Sequence, residues 1–218
     1  MINKYPNIVF LGAPGSGKGT LAQDLVKELN YKHFSTGDMF RHTAKEDTAL
    51  GRQIKVLMTT GNLISDDITN QMVEKYIKEA IAKNEHFILD GYTRTKNQAE
   101  FLKNIDPTLE FYVIYLDIDW SLAAKRIIGR LSCPNCHAVY NSFFKPPKET
   151  NKCDKCGSDL ICRKDDHVET AQNRYKVYMQ LTQPLIDYYK QNKNFYTIKI
   201  DENTNVYKQT LEILNQVK

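Results

Sequence analysis

A glycine-rich segment near the start of the chain has the residue types needed to bind a polyphosphate. Its sequence is Gly12-Ala13-Pro14-Gly15-Ser16-Gly17-Lys18-Gly19-Thr20. Glycines leave room for backbone N–H groups to surround phosphate oxygens, and a helix that starts here adds partial positive charge. Lys18 supplies an ammonium group for the β- and γ-phosphates of a nucleotide. A plain strand-to-helix turn is the alternative, but such a turn needs fewer glycines and no lysine.

Two side chains are candidates for binding the Mg²⁺ that accompanies a nucleotide. The usual phosphate loop has Ser or Thr directly after its lysine, whereas here Gly19 intervenes and Thr20 carries the hydroxyl. This spacing weakens the case for Thr20. Asp90 ends an apolar run and could hold Mg²⁺ directly or through water. A strand-end aspartate that only caps a turn has the same appearance in a sequence.

Cysteines form two CxxC pairs with the spacing of a four-thiolate zinc site. They are Cys133, Cys136, Cys153 and Cys156. Four thiolates complete the coordination of Zn²⁺, so the zinc should be structural and should fold a segment too small to form its own core. Two disulfides are the alternative, which a cytoplasmic location disfavours. His137 and Gly157 follow the two pairs, where a left-handed backbone is expected, and Cys162 is expected to be a lone thiol without function.

The composition is that of an ordinary soluble globular protein. With 218 residues, 41% of them hydrophobic and 26% charged, the chain can bury a substantial core as one main domain with insertions. It shows no signal-peptide pattern and no apolar run of membrane-spanning length, so we expect a cytoplasmic protein with no membrane partner. A net charge of +4 is too small to indicate nucleic-acid binding. Nothing suggests more than a monomer or an obligate protein partner.

Arginine is scarce beside lysine, and its positions are therefore informative. Its planar fork binds phosphate or carboxylate through two hydrogen bonds, which lysine cannot do; random surface placement is the alternative. The arginines are Arg41, Arg52, Arg94, Arg126, Arg130, Arg163 and Arg174. The histidines show no spacing of a metal site or catalytic triad, and we interpret all of them as structural or surface residues: His33, His42, His86, His137 and His167.

Short apolar runs alternate with helical patterns along the chain. Strands are predicted at 8–11, 33–34, 87–89, 111–116 and 195–200, and helices at 20–29, 68–82, 98–103, 122–128, 168–189 and 206–217. This alternation predicts an α/β fold with a doubly wound parallel sheet. Ligands bind such sheets beyond the carboxyl ends of the strands. The glycine-rich segment, residues 35–38 and residues 90–91 all fall there.

The predicted helix 168–189 carries two local signals. Asp166 followed three residues later by Glu169 is typical of a helix N-terminus in which the two side chains cap the helix. Pro184 should kink or split the helix, because proline removes a hydrogen bond and clashes with the preceding turn.

Several segments, taken in order, resemble the adenylate kinases. They are 12–20, 35–41, 90–94, 127–130, 162–166 and Arg174. The likeness covers nearly the whole chain, and the cysteine-bearing insertion resembles the zinc lid of the bacterial long-form enzymes. The resemblance implies the P-loop nucleoside monophosphate kinase fold with a five-stranded parallel sheet in a single domain, 1–218. Its parts would be a core at 1–35, 66–129 and 167–218, an AMP-binding helical insertion at 36–65 and a zinc-binding lid at 130–166.

The resemblance also implies an activity and the residues that perform it. The activity is reversible phosphoryl transfer between ATP and AMP to give two ADP, which serves adenine nucleotide homeostasis, under a lid whose closure excludes water. ATP, with Mg²⁺, would contact Gly15, Ser16, Gly17, Lys18, Gly19, Thr20, Arg126, Arg130, Val139, Tyr140 and Thr204. AMP would contact Thr36, Arg41, Asn62, Leu63, Ile64, Gly91, Arg94, Gln98, Arg163 and Arg174, with Gln98 reading the adenine edge. The catalytic residues would be Lys18, Arg94, Arg130, Arg163 and Arg174, with Asp165 and Asp166 steadying Arg163 and Arg174.

The chain departs from the family pattern at three positions. Thr93 replaces a proline that follows a cis peptide bond in the family. Because a non-proline cis bond costs about 3–4 kcal/mol, we predict a trans bond between Tyr92 and Thr93. His137 replaces the usual glycine after the first cysteine pair. Glu202 replaces a glycine in the loop from which Thr204 is placed near the ATP base.

Two other functions compete with this interpretation. A kinase of UMP or CMP would share the glycine-rich segment, but those relatives usually carry alanine in place of Thr36 and a short lid without cysteines. A zinc-ribbon protein that binds nucleic acid would mass basic and aromatic residues near the cysteines. Residues 143–155 hint at this weakly, but it leaves Arg41, Arg94 and Arg174 unexplained. The sequence therefore favours AMP as the acceptor.

Overall fold

The computed structural model describes residues 5–163 and 165–216, so that Lys164 and both chain ends lie outside the described residues. The strands in chain order are β1 (Asn7–Gly12), β2 (Lys32–Ser35), β3 (Phe87–Asp90), β4 (Phe111–Ile118), β5 (Arg130–Ser132), β6 (Val139–Asn141) and β7 (Phe195–Ile200). The helices are α1 (Lys18–Leu29), α2 (Thr36–Thr43), α3 (Ala49–Thr60), α4 (Asp66–Ala82), α5 (Lys96–Ile105), α6 (Trp120–Ile128), α7 (Val168–Val177), α8 (Leu185–Lys190) and α9 (Val206–Asn215).

A parallel sheet of the order β2-β3-β1-β4-β7 forms the centre of the fold. Every residue of β1 is buried, and its side chains alternate between the two faces of the sheet. Ile8 and Phe10 join the core beneath α1 and α9, whereas Val9 and Leu11 join the core beneath α4 and α5. Helices thus cover both faces, which explains why residues 8–11 of the central strand β1 are all apolar. The predicted doubly wound five-stranded sheet is confirmed.

The strand order reverses at β1, whose neighbours are β3 on one side and β4 on the other. Such a switch point opens a crevice at the carboxyl ends of the strands. The glycine-rich segment leaves β1 at this point and leads directly into α1. The topology therefore places the predicted phosphate loop at the position where ligands bind in this class of sheet.

The periodicity of the sequence did not indicate α2 and α3, although the resemblance implied a helical insertion there. Each is short and is fixed by a side-chain cap. Ser35 accepts a hydrogen bond from the backbone N–H of Asp38 at 3.2 Å, and Thr48 accepts one from that of Gly51 at 2.9 Å. Phe40 of α2 packs with residues of α3 and of the following loop in a small separate core.

The predicted helix 168–189 is divided, as expected from Pro184. A π-helical segment, Tyr178–Thr182, follows α7, and α8 begins after the proline. The predicted cap at the start of α7 is wrong. His167 is the N-cap residue and makes no side-chain capping bond. The carboxylate of Asp166 is bound instead by Arg130, so it is not available to the helix.

The cysteine-bearing insertion has its own small architecture. β5 and β6 form an antiparallel hairpin, with Leu131 opposite Tyr140. The buried residues of the insertion form a cluster apart from the two sheet faces: Cys133, Ala138, Tyr140, Cys153 and Leu160. At the other end of the chain α9 stops at Asn215, and the predicted end at Val217 lies outside the described residues. Within the described residues, every helix is too short or too polar to cross a membrane.

Candidate functional site

The phosphate loop has a left-handed backbone at three glycines, of which Gly17 has a φ angle of 95°, and two of them also lie too close to neighbouring backbone for a side chain. Gly12 and Gly15 have φ angles of 145° and 85°. A Cβ atom on Gly15 would lie 2.5 Å from the backbone oxygen of Ala123, and one on Gly12 would lie 2.7 Å from that of Leu116. The loop therefore fits tightly against α6 and β4.

Lys18 is enclosed by the loop to which it belongs. Its ammonium group donates hydrogen bonds to the carbonyl oxygens of Gly12 and Ala13, at 2.8 and 3.0 Å, and to the hydroxyl of Ser16 at 3.1 Å. Burial lowers the pKa of Lys18 to about 8, and nearby arginines add to the shift against the opposing charge of Asp90. The lysine is thus a desolvated cation that an anionic ligand would stabilise.

Asp90 lies beside the phosphate loop at the end of β3. Its carboxylate is 3.1 Å from Nε2 of His33, and a Cβ atom on Gly19 would lie 3.3 Å from it. Burial alone would raise the pKa of Asp90. The hydrogen bond from His33 and the charges of Lys18 and Arg94 outweigh that effect and hold the pKa below its usual value. This ionised group next to the loop suits a magnesium-bound nucleotide.

Sequence reasoning missed His33, which we had interpreted as structural or surface. Its ring faces Asp90 because β2 and β3 are neighbours in the sheet, with Ser35 level with Asp90. That adjacency is not visible in the sequence. Thr20, by contrast, is exposed on the first turn of α1.

A group of arginines, which we call the arginine cluster, converges on the space in front of the loop. Its members are Arg41, Arg94, Arg130, Arg163 and Arg174. Burial lowers the pKa of Arg94 to about 10, with further lowering by Arg174 and Arg41. Burial likewise lowers the pKa of Arg163 to about 10, with further lowering by Arg130 and Arg41. Mutual repulsion of this kind is relieved when a polyanion binds.

Aspartates hold part of the arginine cluster in place. Nε of Arg130 donates to Asp166 at 2.7 Å, and a second bond between the two makes the pair bidentate. Arg174 donates to Asp165 at 2.9 Å. Arg163 donates instead to the hydroxyl of Ser132 at 3.1 Å. The two aspartates thus contact Arg130 and Arg174, whereas Asp166 acts on Arg163 through its charge, which opposes the lowering of the pKa of Arg163.

A cavity opens between α2, the end of α3 with the loop after it, and the segment that runs from Gly91 into α5. It is lined by Gly37, Phe40, Arg41, Met58, Gly61, Asn62, Leu63, Ile64, Thr69, Gly91, Arg94, Gln98, Asp165 and Arg174. Most residues predicted to contact AMP are in this set. Thr36 and Arg163 are not. Thr36 is buried behind the wall, where its hydroxyl donates to the carbonyl of Gly91 at 2.9 Å.

The peptide bond between Tyr92 and Thr93 is cis, and the prediction of a trans bond is wrong. That prediction weighed only the intrinsic cost of the bond and not the contacts of its two residues. The hydroxyl of Tyr92 donates to Asn70 at 2.8 Å, and the hydroxyl of Thr93 lies 3.0 Å from that of Tyr189. Both residues are buried, so the loop that leads to Arg94 is fixed from both sides.

A second group of residues lies on the other side of the loop, near Arg126. The guanidinium of Arg126 donates to the carbonyl of Asp201 at 3.4 Å and lies 6.0 Å from the ring centroid of Phe144. Thr204 is bound to the carboxylate of Asp201 at 2.7 Å. Arg126 and Thr204 thus share a contact with Asp201, one through its carbonyl and the other through its carboxylate. Phe144 is an addition that no sequence motif indicated.

Tyr140 and Val139 are placed differently from the other residues predicted to contact ATP. The side chain of Tyr140 is only 5% exposed and turns into the insertion, where its hydroxyl accepts a hydrogen bond from the N–H of Asp154 at 2.9 Å. Val139 is half-buried in β6. The structure thus does not bring the ring of Tyr140 to the phosphate loop.

The cysteines form a cluster that could bind a metal ion. All four sulfur atoms lie within 4.8 Å of one another, and Cys133–Cys156 and Cys136–Cys153 are each 3.4 Å apart. Sulfurs at tetrahedral positions about 2.3 Å from zinc would be about 3.8 Å apart. The thiols are free, so the alternative of two disulfides is not realised. His137 and Gly157 have φ angles of 59° and 73°, as predicted for the turns after each pair.

Comparison with known proteins decides between the possible nucleotide-binding families. The family model described as adenylate kinase matches residues 10–194. The chain belongs to the adenylate kinase family. Adenylate kinases from Thermosipho africanus, Thermosipho melanesiensis and Listeria innocua are 41%, 42% and 41% identical to it. The aligned regions cover 96%, 97% and 91% of this chain and 100%, 99% and 93% of those proteins. The resemblance seen in the sequence is confirmed, and the chain is an enzyme of the adenylate kinase family.

Proposed function

We propose that this adenylate kinase family member catalyses reversible phosphoryl transfer between ATP and AMP, giving two ADP and maintaining the balance of adenine nucleotides. The observation that carries the proposal is the arginine cluster, of which Arg94, Arg130 and Arg174 lie close enough to the phosphate-loop residue Lys18 to lower its pKa. Side chains of Arg130, Arg174 and Arg41 are only 17%, 22% and 29% exposed. A concentration of partly desolvated cations next to a phosphate loop suits two anionic substrates brought together.

Phosphoryl transfer needs little covalent help from a protein. Positioning the donor and acceptor in line, and neutralising the charge that develops on the equatorial oxygens, supply most of the catalysis. In our proposal Lys18 and Arg130 hold the donor phosphates, Arg94 holds the acceptor phosphate, and Arg163 and Arg174 contact the group in transfer. No general base is required by this chemistry.

We assign the donor and acceptor sites from the two groups of residues described above. ATP lies on the phosphate loop, residues 15–20, beside Arg126 and Arg130, with its base towards Thr204. Val139 and Tyr140 of the lid border the site, although the ring of Tyr140 turns away from the loop into the insertion. AMP occupies the cavity walled by Arg41, Arg94, Gln98 and residues 62–64, behind which Thr36 supports Gly91. Residues 36–65 are thus the AMP-binding insertion, and 130–166 the lid, on a core formed by the rest of the chain.

Two metal ions belong to the proposal. Enzymes of this family use Mg²⁺ with ATP, and the ionised Asp90 beside Gly19 is suited to bind it directly or through water. Zn²⁺ fits the cysteine cluster, because the sulfur separations are close to those of a tetrahedral thiolate site. Four cysteines would leave no open coordination position, so we assign the zinc a structural role in keeping the lid rigid.

We propose that the lid closes over the bound nucleotides and excludes water, which would otherwise hydrolyse ATP. Contacts between the lid and the core support this. Gln23 of α1 donates to the carbonyl of His137 at 3.3 Å, and Asn141 donates to the carbonyl of Arg126 at 2.9 Å. We further propose that the protein acts as a cytoplasmic monomer without an obligate protein partner, as its composition suggested.

A coupled assay of ADP formation tests the proposed function. With ATP as donor, we expect rapid turnover with AMP and at least about tenfold lower kcat/KM with UMP, CMP or GMP, since a missing base contact typically costs 1–3 kcal/mol. Preference for UMP or CMP would reassign the enzyme to another acceptor. Absence of transfer to every acceptor, together with tight RNA or DNA binding, would overturn the proposal.

The pKa of Lys18 predicts a pH dependence for ATP binding. The ammonium form is lost as the pH rises through about 8 in the free enzyme, so kcat/KM for ATP should fall above that pH. We expect a loss of about tenfold per pH unit once the lysine is mostly neutral, because kcat/KM reports ionisations of the free enzyme. Initial rates between pH 6.5 and pH 9.5 at saturating AMP would check this.

A surface lysine on the same helix provides the control for the pH profile. Lys27 is exposed and pairs only with Glu28, so Lys27→Met should reproduce the wild-type profile. A profile that stays flat up to pH 9.5 in the wild-type enzyme would contradict the proposed role of Lys18.

A further inference from the structure

The side-chain amide of Gln98 makes two hydrogen bonds with the protein, one in which its oxygen accepts and one in which its nitrogen donates. Its carbonyl oxygen accepts a hydrogen bond from the backbone N–H of Arg94 at 2.8 Å, and its amino group donates one to the carboxylate of Asp66, also at 2.8 Å. Gln98 is 2% exposed and lines the cavity assigned to AMP. The amide is therefore part of a buried network as well as part of the wall.

The carboxylate of Asp66 is itself fixed in position. Its second oxygen accepts a hydrogen bond from the hydroxyl of Thr95 at 2.8 Å, and that hydroxyl accepts one from the backbone N–H of Gln98 at 3.1 Å. Asp66 is the first residue of α4, where the positive end of the helix dipole favours a negative charge. It is half-buried and is not among the residues that line the cavity.

These two partners allow only one orientation of the Gln98 amide. A carboxylate can only accept a hydrogen bond and a backbone N–H can only donate one. Rotating the amide by 180° would set the Gln98 oxygen against the oxygen of Asp66, and the amino group against the N–H of Arg94. Both hydrogen bonds would become repulsive contacts between buried polar groups, which is costly in a low-dielectric site.

The orientation matters because an amide can pair with two kinds of purine. After its two bonds to the protein, Gln98 retains one N–H and one carbonyl lone pair. Adenine offers a ring-nitrogen acceptor beside an amino donor, which matches an amide in a bidentate pair. A 6-oxopurine such as hypoxanthine offers a carbonyl acceptor beside an N–H donor, in the reversed order. A freely rotating amide would accept both bases, whereas a fixed amide accepts one.

We infer that Asp66 is a positioning residue for base specificity, which orients the Gln98 amide so that the acceptor site selects AMP over IMP. This inference rests on the proposed function, because it assumes that the acceptor base faces Gln98. Asp66 acts through Gln98 and touches no substrate. Thr95 and the backbone of Arg94 complete the arrangement, which joins the start of α4 to the start of α5.

The test compares AMP and IMP on the wild-type enzyme and on Asp66→Asn, both by calorimetric binding and by the rate of phosphoryl transfer from ATP. Asparagine has nearly the same shape but can present either a donor or an acceptor to Gln98, so both orientations of the amide become available. We expect the wild type to bind AMP at least about tenfold more tightly than IMP, and the variant to lose most of that ratio. The kcat with AMP should stay within about twofold of wild type, because the change acts on binding and not on the phosphoryl group.

Asp67→Asn is the matched control. It removes the same charge from the same helix turn at an exposed side chain, so the AMP/IMP ratio should remain that of the wild type. The inference would be overturned if the variant Asp66→Asn kept the wild-type ratio. It would also be overturned if the variant lost affinity for AMP and for IMP by the same factor, which would indicate a purely structural role. If that variant does not fold, the affinities of the wild-type enzyme still test the inference, because equal affinity for AMP and IMP would contradict a fixed Gln98 amide.

The binding measurement separates this inference from the proposed function. A wild-type enzyme that binds AMP selectively, loses selectivity on Asp66→Asn and yet forms no ADP from ATP and AMP would refute the proposed reaction and support the inference. An enzyme that forms ADP, but discriminates AMP from IMP equally well with and without Asp66, would support the proposed reaction and refute the inference.

Discussion

Arg94→Lys is expected to lower kcat/KM for AMP by about 10²–10³-fold, whereas Arg52→Lys should leave it within about twofold. The reason is the geometry of Arg94. Its Nε donates to the carbonyl of Gly91 at 2.8 Å, which directs the two terminal nitrogens towards the cavity. Its own carbonyl accepts a hydrogen bond from the buried Thr182 at 3.0 Å. A lysine would keep the charge but would lose both the bond to Gly91 and the planar fork.

Arg52 is a suitable control because it is exposed and pairs only with the exposed Asp47. Steady-state rates at varied AMP and saturating ATP would give kcat/KM for both variants, and melting temperatures would establish that both are folded. Equal effects of the two substitutions would discredit the role assigned to Arg94.

Removal of zinc is expected to unfold the lid before the rest of the protein. The buried cluster of the lid is small, and two of its members are cysteines of the proposed zinc site. Metal binding to a structural zinc site contributes on the order of 10 kcal/mol to folding, far more than such a small core can supply. Without zinc, Arg163 and Asp165 would lose their placement, and we expect the rate of ADP formation to fall by more than about tenfold.

Scanning calorimetry with and without a chelator would measure the effect, and Cys153→Ser should reproduce it without chelator. Cys162→Ser is the matched control, since Cys162 is an exposed thiol outside the cluster. That variant should bind zinc and melt like the wild type. A single melting transition that chelator leaves unchanged would show that the cysteines do not bind metal.

The sheet and the phosphate loop could be predicted because their signals are local. Most of each of the strands β1, β3 and β4 is a continuous apolar run, and the glycines and Lys18 stand together in the chain. The start of α7 shows how a local signal fails, since Asp166 has the right spacing for a cap but is bound by Arg130, which is 36 residues away in the sequence. Helices α2 and α3 were missed because their few apolar residues pack into a small separate core, shared with the adjoining loop and the start of α4.

The missed site residues share one property, which is a partner distant in the chain. His33 meets Asp90 across 57 positions and Asp66 meets Gln98 across 32. Neither pair forms a motif, and each becomes visible only when the sheet order or the packing of α4 against α5 is known. The Tyr92–Thr93 bond was mispredicted for the same reason, since Tyr189, which contacts Thr93, lies 96 positions further along the chain.

The arginine cluster has a consequence for the enzyme in the absence of nucleotide. Folding must bury Arg94 and Arg163 beside other arginines, which lowers the pKa of both, so this part of the empty site is less stable than a neutral cavity of the same size would be. The positive electrostatic field of the arginine cluster also extends into the solvent, where it attracts anions and raises their rate of association. The phosphates of a bound substrate remove the repulsion between these arginines. Part of the binding free energy of each substrate therefore comes from relieving a destabilisation that is present in the empty enzyme.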